Sequence, residues 1–84
     1  MSHFICTFGQ VLSEWMEKNC YNATSLTKKM NEKSRTVIAR LMKDESGYKS
    51  CSAFWKRFRK AFPELSQTDS KRFEEGLEVE KLGL

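Results

Sequence analysis

A chain of 84 residues builds one small domain around one core, so residues 1–84 are read as a single domain with no second lobe and no deep catalytic cleft. Hydrophobic residues at 39%, charged residues at 31%, one proline and four glycines favour helices, and no apolar run approaches the ~20 residues that cross a bilayer. The net charge of +4 is unevenly spread: residues 1–23 hold one basic and two acidic side chains, residues 24–60 eleven and three, and residues 61–84 three and six.

Phe8, Val11, Leu12, Trp15 and Met16 recur at i, i+3, i+4, i+7 and i+8, which predicts a first helix from about Thr7 to Lys18. Asn22 is placed to cap a second helix, Ala23 to about Met30, with Tyr21 and Leu26 as a hydrophobic staple around the cap. Asn31, Glu32 and Lys33 form a polar turn, and Ser34 caps a third helix whose Ile38, Leu41 and Met42 face inward with Val37 at the margin. Lys43 to Ser50, with Gly47, reads as a loop. Ser50 or Ser52 would cap a fourth helix carrying the apolar stripe Cys51, Phe54, Trp55, Phe58 and Phe62, ended by Pro63. A fifth helix starts at Ser66, with Asp69 as a capping-box variant, and buries Phe73 and Leu77. Five short helices predict a compact all-α domain.

The constellation with the most information is Leu26, Thr27 and Met30 followed by Ser34-Arg35-Thr36-Val37-Ile38-Ala39-Arg40-Leu41. Two short helices joined by a tight turn can cross steeply, leaving one face of the second free to enter a groove about 12 Å wide. In the Leu26-Thr27 pair and in Ser34 to Leu41 the chain resembles the phage-repressor-like helix-turn-helix family, of the Cro/repressor or xenobiotic-response-element type. It departs from that family at Thr27, where alanine is usual, and at Asn31-Glu32-Lys33, where a glycine followed by an aliphatic residue is usual and the turn is one residue shorter. The resemblance implies a compact five-helix domain of lambda-repressor-like type, with the second and third helices forming the helix-turn-helix.

By position, the resemblance carries base reading to Arg35, Thr36 and Arg40, and contacts with the DNA backbone to Asn22, Thr24, Lys43, Lys49 and Ser50, to which Ser34 at the start of the third helix is added. The chemistry agrees. An arginine fork matches guanine O6 and N7, a threonine offers a hydroxyl or a methyl, and Ala39 on the same face can approach a thymine methyl. Backbone amides at helix starts add donors for phosphate oxygens. Each of these cations could also simply solubilise a helix face. The denser cluster Lys56-Arg57 and Arg59-Lys60 reads first as a solvated face, and only second as a further phosphate contact or a docking site for an acidic protein.

The expected partners are double-stranded DNA and a second copy of the chain, because one helix-turn-helix buries little surface and gains affinity as a dimer on paired half-sites. Phe73, Leu77, Val79, Leu82 and Leu84 are the candidate self-association surface, though core packing explains Phe73 and Leu77 equally well. The resulting expectation is a cytoplasmic regulator of transcription acting at an operator. The alternative is a small helical protein-interaction module, adaptor or antitoxin-like, that uses the basic fourth helix or the apolar tail.

Cys6, Cys20, Cys51 and His3 do not form a zinc set, so reduced thiols and no metal are expected. With no second histidine, no paired carboxylates, no glycine-rich phosphate loop and no nucleophile motif, no enzymatic activity, cofactor, small-molecule ligand or membrane partner is assigned. No basic residue precedes the apolar stretch within Met1–Gln10, unlike a secretory signal.

Overall fold

The computed structural model describes residues 6–32, 34–43 and 45–82, and among them it forms five helices and no strand. Of the residues named above, Met1, His3, Lys33 and Leu84 lie outside the described set, as does Asp44 between Lys43 and Ser50. The helices are α1 (Phe8–Lys18), α2 (Ala23–Lys29), α3 (Thr36–Met42), α4 (Tyr48–Ala61) and α5 (Gln67–Leu82). None of them is long and apolar enough to cross a membrane.

The helix starts follow from their caps. Thr7 accepts the Gln10 amide on its hydroxyl at 3.2 Å while the Gln10 side chain accepts the Thr7 amide at 3.0 Å, a reciprocal box that satisfies two otherwise orphaned donors. Asn22 and Ser25 do the same for α2, at 2.8 and 2.9 Å. Ser66 accepts the Asp69 amide at 3.1 Å at the start of α5.

The two turns that flank α2 share one backbone solution. Cys20 (φ 61°) and Asn31 (φ 56°) adopt left-handed conformations just past the ends of α1 and α2. The Tyr21 amide then reaches back to the Met16 carbonyl at 2.8 Å, and the Glu32 amide to the Thr27 carbonyl at 3.0 Å. With the bonds of smaller sequence span from the Cys20 amide to the Glu17 carbonyl and from the Asn31 amide to the Lys28 carbonyl, each is a Schellman turn that satisfies the last carbonyls of its helix.

The core is aromatic. Phe8, Phe54, Phe58 and Phe73 are fully buried, and Trp15 and Trp55 nearly so, with Leu12, Met16, Leu26, Ile38, Leu41 and Cys51 filling between them. Trp15 meets Phe58 and Phe62 edge-on at 4.9 and 5.0 Å, and Trp55 stacks on Phe73 at 5.0 Å, arrangements that suit the ring quadrupoles. α1 lies at the centre, packed on both α5 and α3, while α4 covers α5 and α2 leans on α3. Gly76 of α5 allows the closest approach: a β-carbon there would stand 2.9 Å from the Phe8 Cα.

Four expectations need correction. Met42 does not face the core but is 38% exposed, because a seven-residue helix seats only Ile38 and Leu41 on one side. The stretch from Lys43 to Ser50 is not all loop: α4 begins at Tyr48, so Lys49 and Ser50 are helical. Neither Ser50 nor Ser52 caps α4; Gly47 does so, with extended backbone (φ −83°, ψ 178°) and no side-chain bond. Phe73, a candidate for self-association, is fully buried among Phe8, Trp55 and Phe58 and so offers nothing to a partner.

Candidate nucleic-acid interface

At about 100° per residue, Ile38 and Leu41 set the buried side of α3 and leave the opposite side to solvent. Thr36, Arg40 and Lys43 follow one another at i, i+4 and i+7 along that outer side, and all three are exposed. Ala39, partly buried, borders the stripe, and exposed Arg35 stands a quarter-turn away at the start of the helix. Val37, 37% exposed, borders the other edge.

The start of α3 is ordered by Ser34. Arg35 already has helical dihedrals (φ −71°, ψ −12°) and makes no capping bond. Ser34 Oγ instead accepts the Thr36 amide at 3.1 Å and donates to Thr36 Oγ1 at 3.0 Å. The two hydroxyls share one proton between them, and the other hydroxyl proton of the pair stays available to an outside acceptor. Both residues are exposed, and Thr36 lies on the outer stripe of α3.

The remaining named residues fall on two other helix starts. Asn22 uses its side-chain oxygen for the α2 cap and keeps Nδ2 as a donor, next to an exposed Thr24. Lys49 and Ser50 lie exposed in the first turn of α4. Leu77 packs partly against the core, Val79 is half-buried and Leu82 is 67% exposed, so Leu82 keeps most of its apolar surface available.

Charge is sorted between structural and free uses. Arg57 pairs with Glu32 at 2.8 Å and lies over the Phe54 ring, Arg59 lies over Trp55, and Lys29 lies over Phe62. Those three cations are partly consumed by packing, as long charged side chains often are. Arg72 pairs with Glu14, joining α5 to α1. Arg35, Arg40, Lys43, Lys49, Lys56 and Lys60, like Lys18, Lys28, Lys71 and Lys81, are exposed and have no acidic partner among the described residues. Three of these ten, Arg35, Arg40 and Lys43, lie on or beside α3.

The reading of the sequence missed Glu32 and Arg57 as a pair. Twenty-five residues separate them, and no local pattern marks such a contact. No family model, curated protein or solved structure matches the chain, so the interface rests on its own residues and geometry.

Proposed function

We propose that this chain is a sequence-specific double-stranded DNA-binding domain of lambda-repressor-like type, in which α2 and α3 act as a helix-turn-helix and α3 lies in the major groove. One observation carries the reading: the outer face of α3 holds Thr36, Arg40 and Lys43, with Arg35 at its start, all exposed and, among the described residues, without an ion pair. Cations left unpaired on a short helix backed by buried Ile38 and Leu41 are positioned to meet phosphates and base edges together.

In the proposed mechanism Arg40 and Arg35 donate to guanine O6 and N7, and Thr36 uses its hydroxyl or its methyl on the neighbouring base. Lys43, Lys49 and the α2 start at Asn22 and Thr24 fix the domain on the backbone. Two copies related by a two-fold axis occupy half-sites about 34 Å apart and exclude other proteins from the operator. Leu82, with Val79, is the part of the apolar tail left to join them.

The test is to sequence the duplexes that the purified protein retains from a random pool at about 50 and 200 mM salt. A two-fold-symmetric motif that persists at the higher salt is the expected result. Retention at low salt alone, with no enriched motif, would reduce the basic centre to a nonspecific patch and favour a protein partner for α4 or the tail.

A further inference from the structure

The two Schellman turns of this chain differ at one position. In such turns the second residue past the helix commonly holds the turn down by an apolar contact with the last helical turn. After α1 that residue is Tyr21, whose ring stacks on Trp15 at 5.4 Å and meets Phe62 edge-on at 5.6 Å. After α2 the equivalent residue is Glu32, an acidic side chain where an apolar anchor would be ordinary. Glu32 is nevertheless well covered, its side chain only 14% exposed, and its Oε1 receives both the Nε and an Nη of Arg57 at 2.8 Å. Arg57 is held in turn by Phe54, over whose ring its guanidinium lies at 6.0 Å.

We infer that Glu32 and Arg57 are positioning residues for α3: their ion pair replaces the apolar anchor of the α2–α3 turn and fixes the recognition helix against the long, well-packed α4. Apart from this pair, α3 is restrained by the backbone turn, the Ser34–Thr36 hydrogen bonds and the seats of Ile38 and Leu41; it has seven residues and no side-chain cap from Arg35. A two-donor contact from a planar guanidinium constrains direction as well as distance. The arrangement also accounts for part of the basic cluster on α4: Arg57 faces the turn, while Lys56 and Lys60 face solvent and make no ion pair among the described residues. The consequence for DNA rests on the proposed function. A misdirected α3 keeps its charge, so phosphate attraction persists while the register of Arg35, Thr36 and Arg40 on base edges is lost.

Glu32→Ala, Arg57→Gln and the exchanged pair Glu32→Arg with Arg57→Glu test this with two measurements on the full chain. In titrations of the enriched duplex and a scrambled one, Glu32→Ala, which removes the oxygen that accepts both Arg57 donors, is expected to lower the ratio of the two affinities by about tenfold, the low end of one lost bidentate contact with a base. Binding to the scrambled duplex stays within about twofold, since no phosphate-facing cation is removed. The exchanged pair restores most of the ratio. Amide hydrogen exchange of free protein should rise in residues 36–42 for both single variants, more than in α1 or α5, and fall back in the exchanged pair. An unchanged ratio, or a uniform rise in exchange with both affinities falling in step, would overturn the inference. If the parent protein itself shows no preference among duplexes, the recognition reading fails on its own, and selective exchange in α3 decides the anchor alone.

Discussion

Replacing Gly76 by alanine should destabilise the domain even though alanine is the better helix former. The new methyl would sit 2.9 Å from the Phe8 Cα, 3.1 Å from its amide nitrogen and 3.4 Å from the Thr7 carbonyl carbon. All three are backbone atoms at the start of α1, so no side chain can rotate away. Restoring ordinary contact requires α1 and α5 to separate by roughly half an ångström, loosening Phe8 against Phe73 and Phe54, now 5.5 and 6.1 Å between ring centres. Overpacking of this kind costs about 1–3 kcal/mol, and the gain in helix propensity returns about 1 kcal/mol. A net loss of up to about 2 kcal/mol follows, equivalent to a fall in Tm of up to about 16 °C for a domain of this size. Urea unfolding followed by tryptophan fluorescence reports it, since Trp15 and Trp55 both adjoin Phe73. A midpoint at or above that of the parent, with unchanged slope, would refute the claim that Gly76 sets the α1–α5 distance.

Phe73→Ala should cost about 3–5 kcal/mol by opening the aromatic core, while Leu82→Ser should change stability by no more than about 0.5 kcal/mol; thermal melts of both variants separate core from surface. If Leu82 joins two copies, the same Leu82→Ser chain should sediment as a monomer at concentrations where the parent dimerises. Asn22→Ala should lose about 1 kcal/mol in chemical denaturation, because it removes the side-chain acceptor for the Ser25 amide. Cys20→Gly should gain about 0.5–1 kcal/mol, since a left-handed residue with φ 61° strains a side chain that glycine lacks; a loss in the same assay would show that the thiol contributes contacts to the turn.

The helices that carry a continuous apolar period were legible because burial imposes the 3.6-residue repeat directly: Phe8 to Met16 and Cys51 to Phe58 fall where their spacing puts them. The caps at Asn22 and Ser66 were legible for the same reason, a short polar side chain standing just ahead of such a stripe. Met42 misled because α3 is too short for the period to separate core from margin. The start of α4 misled because glycine at a cap contributes backbone freedom and no side-chain bond, so serines downstream looked better. Gly76 and the Glu32–Arg57 pair could not be read at all, since each gains its meaning from a residue far away in the chain, Phe8 in one case and a helix 25 positions on in the other. Of the interface, the stripe Thr36, Arg40 and Lys43 follows from helical spacing, whereas the loss of Phe73 from the self-association surface required the packing of α5 on α1.

The placement of α3 in the groove is tested most directly at Arg40. Binding of the parent and of Arg40→Ala to the enriched duplex, and to duplexes altered one base pair at a time, measures it in one set of titrations. Loss of about 1–3 kcal/mol on the enriched site, with preference relaxed at one base pair and thermal stability unchanged, is the predicted result. Equal weakening on every duplex would make Arg40 a phosphate contact only, and undiminished affinity and preference would contradict the placement of α3 in the groove.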